Sequence, residues 1–286
     1  MKKLTGLALI SLLAFISDAH AGEDYSINME LSATRDDNLN RNIQSSNEIS
    51  DVFTTAGIGI HQVHPISLFD FISYGAHIKY EYFNEVDGLN NVEATASVKY
   101  NYKPYTGFNQ PVYIFSADIG VIDSATDIRD ASIYIFGITL SSWITNTLSA
   151  RGGASYRIKD SDSRVFDNKD ARFFINADLL LNNKVTSYLT FNYINGQTVS
   201  TIDINNTPIE ILNMVDPADI EFDPTFGADQ LAYRFDSKTR FLTLGINYAL
   251  AQKHSLDLSL RNVHSRAGGG IDYDTTQWSL SYLLSF

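Results

Sequence analysis

The chain has no cysteine among its 286 residues, only six prolines, and no continuous apolar stretch long enough to cross a bilayer as a helix. The missing cysteines exclude disulfides and a lipid anchor attached through a thiol, so packing and backbone pairing must hold the fold. A membrane helix needs about 20 apolar residues, and the run from Leu7 to Ile16 is too short for one. Basic residues are also scarce, with 21 Lys and Arg against 33 Asp and Glu and a formal charge of -12. Phosphate binding calls for a basic face, which argues against a nucleic-acid partner. A hydrophobic content of 44% and a mean hydropathy of -0.11 resemble those of a soluble protein. A β-barrel in lipid, however, shows only every second strand residue to the bilayer, so averages do not decide the compartment and periodicity must.

What the chain has in quantity is alternation. From Tyr25, the residues Tyr25, Ile27, Met29, Leu31 and Ala33 alternate with Ser26, Asn28, Glu30, Ser32 and Thr34. From Ile72, the residues Ile72, Tyr74, Ala76, Ile78, Tyr80 and Tyr82 alternate with Ser73, Gly75, His77, Lys79 and Glu81, and from Val92 the same period runs to Lys103. The final segment places Trp278, Leu280, Tyr282, Leu284 and Phe286 on one face. Each is a half-wet, half-apolar strand of the length a tilted transmembrane strand requires. Less regular candidates lie at Val52 to Val63, Val112 to Asp123, Ser132 to Ser142, Leu148 to Lys159, Arg172 to Leu181, Ser187 to Asn195, Thr239 to Tyr248 and Ser255 to Val263. Apolar residues such as Ile114, Ile135, Phe174 and Leu180 blur their inner faces, as in a narrow barrel with a partly filled interior or a soluble β-sandwich with two buried sheets. The cleanest strands favour the membrane. The expected fold is all-β, a closed antiparallel transmembrane barrel of about twelve strands.

The connections alternate in length, as expected for short periplasmic turns and longer extracellular loops. Short links fall at His64 to Ile66, Pro104 to Gln110, Trp143 to Asn146, Asn182 to Lys184 and Ala249 to Lys253, and longer ones between them. The largest predicted loop, Gly196 to about Asp236, contains a stretch to Tyr233 without Lys or Arg that carries Asp203, Glu210, Asp216, Asp219, Glu221, Asp223 and Asp229. Tyr100, Tyr102, Tyr105, Trp143 and Trp278 are expected near strand ends, in interfacial girdles. Residues 1–21, with Lys2 and Lys3, an apolar run and Ala19-His20-Ala21, read as a secretory signal peptide, leaving 22–286 as one barrel domain. The expected location is the outer membrane of a Gram-negative bacterium, with its lipid and lipopolysaccharide as surroundings.

The wet face carries charges of both signs: Lys79, Glu81, Glu93, Lys99, Asp118, Arg151, Arg157, Lys159, Arg172, Asp178, Asp257 and Arg261. Such charges must be hydrated or paired. They either line a water-filled pore as a selectivity field or cross-link and plug a structural barrel. Arg151, Arg157, Lys159 and Arg172 form the best candidate strip for an anionic solute. Catalysis finds little support, because His254-Ser255 and His264-Ser265 are adjacent pairs whose side chains diverge in a strand, so neither an enzyme nor a cofactor is expected. No metal site is expected either: Asp36 to Asn40 begins like a calcium loop but has Arg41 and Asn47 where glycine and glutamate should stand.

The stretch Thr34-Arg35-Asp36-Asp37-Asn38-Leu39-Asn40-Arg41, then Ser46 to Asp51 and Ala56-Gly57-Ile58-Gly59-Ile60, resembles the opening of the beta-barrel porin 2 family. That resemblance implies an outer-membrane barrel and, for many members, an association with exopolysaccharide synthesis and export. Trp278 to Phe286 also resembles a barrel-assembly signal, which implies the barrel-assembly machinery as a folding partner. The leading expectation is therefore a porin-like channel for transport of a polysaccharide or other anionic solute. A closed surface barrel with acidic loops, serving adhesion or membrane integrity, is the alternative, and a lipid-modifying enzyme stands third.

Overall fold

A computed structural model describes residues 25–206, 215–268 and 272–286. The predicted signal peptide and Glu210 lie outside them. Nearly all of the described chain is strand: β1 (Tyr25–Asp36), β2 (Asp51–Pro65), β3 (Asp70–Phe83), β4 (Asn91–Tyr102), β5 (Val112–Ser124), β6 (Ala131–Trp143), β7 (Leu148–Ser161), β8 (Asn168–Asn182), β9 (Val185–Asp203), β10 (Ile220–Phe222), β11 (Gln230–Ala251), β12 (His254–Ala267) and β13 (Asp272–Ser285). Strands β1 to β9 pair in sequence order and antiparallel, β9 pairs with β11, and β11, β12 and β13 follow. Pairing of β13 with β1, from Asn28 opposite Ser285 to Asp36 opposite Gln277, closes the sheet into a barrel of twelve strands. The short β10 lies outside that ring and pairs with β11 alone. Closure leaves no free edge in the wall, so every wall strand has neighbours on both sides.

Opposed residues in a ladder point to the same side of the sheet, so the register fixes one apolar outer face around the ring. Tyr80, Phe115, Ile119, Phe136, Ile175, Leu189, Leu244, Leu258 and Leu280 are all exposed on it. At one end the strands are joined by tight turns built from local side-chain bonds. Val185 and Lys184 donate their backbone N–H groups to Asn182 Oδ1, and Phe69 and Asp70 donate theirs to Ser67 Oγ. These are the turn chemistries that asparagine and serine supply at low cost.

The other end carries long loops, and there the structure departs from expectation. The loop predicted from Gly196 to about Asp236 is strand at both its ends, because β9 and β11 continue pairing up to Asp203 opposite Gln230. Within this ribbon the alternation of burial stops: Ser200, Thr201 and Ile202, and likewise Ala232, Tyr233 and Arg234, are consecutive buried residues. One face of the ribbon packs Ile202 and Tyr233 with Val215, Ile43 and Ile220, and the other packs Ala232 and Val199 with Val165, Phe166 and Ile128. Burying a side chain such as Ile202 or Phe166 contributes about 1.5–3 kcal/mol. The described apolar clusters thus belong to the loop end and not to the wall. Trp278, expected near a strand end, sits mid-strand opposite Leu260 and Arg35.

Candidate functional site

The register brings the predicted inner charges onto the one face that points into the barrel. Lys79 stands opposite Glu93, Ser149 opposite Asp178, Arg151 opposite Asn176, and Arg157 opposite Asp170. Glu81, Lys99, Asp118, Lys159, Arg172, Asp257 and Arg261 share that parity through the same ladders. Several are neutralised where they lie. Lys79 Nζ contacts Glu81 Oε1 at 3.3 Å and Glu93 Oε2 at 3.0 Å. Arg157 grips Asp170 Oδ2 at 2.7 Å, and Arg151 reaches Asp178 Oδ2 at 3.4 Å. Tyr188 donates to Asp257 Oδ1 at 2.8 Å, and Arg261 donates to Thr243 Oγ1 at 3.3 Å.

Others make no ion pair among the described residues. Lys159 and Arg172 are partly buried, and their nearest charged surroundings include further cations. Arg129 and Arg157 lie within electrostatic range of Lys159, and Arg157 and Arg261 within range of Arg172. Of the expected basic strip, then, Arg151 and Arg157 are paired, while Lys159 and Arg172 make no ion pair among the described residues, although Asp167 and Glu93 lie within electrostatic range of Lys159 and Asp170 within range of Arg172. Lys99 has the field of Asp118 beside it. Partly buried cations that no carboxylate contacts directly are costly unless water or an anion attends them, which makes this stretch of β7 and β8 the candidate solute-facing wall.

Sequence reasoning missed the structure above that wall. Loops from the long-loop end fold together into a collar. The first loop, 37–50, turns back on itself through Arg41, whose φ of 54° is rare for a residue with a side chain. Its guanidinium binds Asp36 at 2.8 and 3.1 Å and Thr275 at 3.1 Å. Asn40 and Asn42 then donate to the carbonyl of Thr201 on the β9 ribbon, and Ser200 donates to the carbonyl of Arg41. The loop therefore reaches from the β13–β1 seam to β9, passing β12 and β11. The oxygens of Asp36 and Asn38 that resembled a calcium loop are engaged by the chain itself: Asp36 accepts from Arg41 and Gln277, and Asn38 Oδ1 accepts from the Asn42 N–H.

Within the fifth loop, 204–229, residues 215–229 meet the second, third and fourth loops. Asp219 meets Arg164 at 3.2 Å and Arg234 at 2.5 Å, Glu221 accepts from Ser163, and Asp223 meets Arg129 at 2.6 Å. Thr225 continues the contact, donating to Thr126, while Thr126 donates to the carbonyl of Gly88. Asp223 is fully buried, and it also accepts from Thr201 and from the Thr225 N–H. The Arg129 guanidinium stacks over Phe166 at 4.3 Å, and burial holds it below the ordinary arginine range despite Asp223. No local period announces these contacts, because they join residues from 15 to 99 positions apart on different elements. The only sequence sign was an acidic stretch lacking its own basic residues.

The histidines are scattered. His254 bonds Tyr282, His264 bonds Asp274 at 2.7 Å on the outer face, and His77 lies against Gly57 and Gly59. No arrangement of three or more metal-ligating side chains occurs among the described residues.

A closed twelve-stranded antiparallel barrel with an apolar exterior, a charged interior and unequal ends defines the class of outer-membrane β-barrels. Comparison with solved structures agrees. An outer-membrane channel from Pseudomonas putida F1 described as COG4313 superposes with a TM-score of 0.54 at 9% identity, covering 94% of this chain and 99% of that one. The NanC porin aligns at a TM-score of 0.47 and 10% identity over 90% of this chain and 98% of its own, and the KdgM porin at 0.45 and 11% over 91% and 99%. No family model and no curated protein sequence matches the chain. The chain thus shares the barrel fold of the outer-membrane channel from Pseudomonas putida F1.

Proposed function

We propose that the protein is an outer-membrane channel for an anionic solute, such as a negatively charged polysaccharide. The observation that carries this reading is the pair Lys159 and Arg172, held inside the barrel without an ion pair among the described residues, where cations (Arg129, Arg157, Arg261) as well as carboxylates (Asp167, Glu93, Asp170) lie within electrostatic range. Fixed charge of one sign on a narrow wall raises the local concentration of the opposite ion and sets selectivity. In this reading the tight turns face the periplasm and the collar faces outward, the apolar exterior meets lipid and lipopolysaccharide, and the barrel-assembly machinery inserts the chain. The test is single-channel recording in planar bilayers across a KCl gradient. Wild type should conduct and favour chloride, and Arg172→Gln should lower that preference by a factor on the order of two. Absence of conductance from a barrel that still migrates as a folded, heat-modifiable species would overturn it.

The second reading is a closed surface barrel that presents acidic loops. The ion pairs of Lys79, Arg151 and Arg157 and the density of the collar favour it. It expects no conductance with the barrel intact.

A further inference from the structure

We infer that Arg129, Arg164 and Arg234 form an entrance site for a linear polycarboxylate, and that carboxylates of the fifth loop occupy this site as an internal stand-in. The three cations come from separate elements, the third loop, the fourth loop and β11, yet all converge on one segment, Asp219 to Asp223. That segment presents a carboxylate at every second residue, Asp219, Glu221 and Asp223, each bound at the rim by Arg164 and Arg234, by Ser163, or by Arg129. An extended chain with regularly spaced carboxylates would offer the same groups. Arg234 is only 9% exposed and its Nε has no partner, so the site retains an unused buried donor even with the loop in place.

The collar divides into two parts by the forces that hold it. The β9–β11 ribbon is fixed by apolar burial on both faces, whereas the segment from Pro217 to Phe226 is anchored to β11 by the short β10 ladder and Ile220, and its carboxylate side chains meet the rim through ionic and polar bonds alone. An incoming carboxylate can replace a loop carboxylate bond for bond, so exchange forms as many charge-assisted bonds as it breaks. The site also leads inward. Arg129 lies within range of Lys159, and Arg261 within range of Arg172 deeper on the same inner face. The inference rests on the channel reading for what happens beyond the rim, but binding at the rim can be measured separately.

The experiment uses full-length protein in detergent with fluorescein-labelled hexaglutamate as the probe and labelled hexalysine as the control. A loop that occupies the site most of the time weakens the apparent affinity in proportion to the small free fraction. The variant Asp219→Asn, Glu221→Gln, Asp223→Asn should therefore bind hexaglutamate about tenfold more tightly than wild type, with no gain for hexalysine. Adding Arg164→Gln, an exposed rim position, should reverse much of that gain. A triple variant that stays heat-modifiable but binds hexaglutamate no better than wild type, or gains equally for hexalysine, overturns the proposal. Should the triple variant fail to fold, Arg164→Gln in the wild-type chain provides the test, and unchanged hexaglutamate affinity overturns it. Conductance of the same preparations is recorded in parallel. If none conducts, the channel reading fails while the rim site stands or falls on anisotropy alone.

Discussion

Tyr188 on β9 crosses the face of Gly245 on β11 to reach Asp257 on β12, and a Cβ at Gly245 would fall within its ring. The glycine is thus required by a side chain and not by a turn. Gly245→Ala should displace Tyr188, leave Asp257 without its donor and destabilise the barrel by about 1–3 kcal/mol, seen as a lower temperature for the heat-modifiability transition. At the loop end, burial raises the Asp130 carboxyl above its ordinary range against the bond it accepts from the Ser124 N–H, and Asp123, Asp162 and Asp127 raise it further. A raised carboxylate favours the folded state at low pH, and that contribution is lost as pH rises through the folded value. Asp130→Asn keeps the acceptor oxygen and removes the charge. Its melting temperature should exceed that of wild type at pH 7, and the difference should shrink toward zero once the pH is low enough to protonate the aspartate. An equal gain at both pH values would refute the assignment.

Among the elements, the ribbon of β9 and β11 is the scaffold on which the described loops pack. Gly88 and Thr225 touch where the fifth loop meets the second, with the position of a Cβ at Gly88 only 3.0 Å from Thr225 Cα. Because the chain has no cysteine of its own, Gly88→Cys with Thr225→Cys gives one possible bridge. Oxidation should depress conductance and dithiothreitol should restore it, whereas equal currents in both states would show that this contact does not gate the pore. The wall elements were legible in sequence and the ribbon was not, for a physical reason. Alternate residues from Tyr74 to Tyr82 lie on the barrel's apolar outer face, so their apolar character recurs at every second position, and that same period assigns Lys79 and Glu81 to the interior. Residues 196–203 and 230–236 face other loops, so polar and apolar residues share each face and the period vanishes. Lys79 and Glu93 could be placed on one side of the sheet from spacing alone. The meeting of Arg129 with Asp223 depends on how distant loops fold together, and no spacing encodes it.

At the scale of the whole molecule the protein is acidic, while its proposed path is locally basic. Long-range repulsion of anions by the net charge and short-range attraction by Lys159 and Arg172 respond differently to salt. The Debye length falls from about 10 Å at 0.1 M to about 3 Å at 1 M, so the chloride preference should decline between these concentrations, measured as reversal potential at a fixed concentration ratio. A preference unchanged by salt would point to pore width as its source. The two ends of the molecule are also stabilised by different means. Strand pairing holds the wall, whereas the collar around Ile202, Tyr233, Val165 and Phe166 is a small water-excluded core. Hydrophobic stabilisation weakens on cooling, and the wall's hydrogen-bonded ladders lack that dependence. The collar should therefore loosen in the cold before the barrel does, giving the protein a temperature-sensitive mouth on a temperature-indifferent frame.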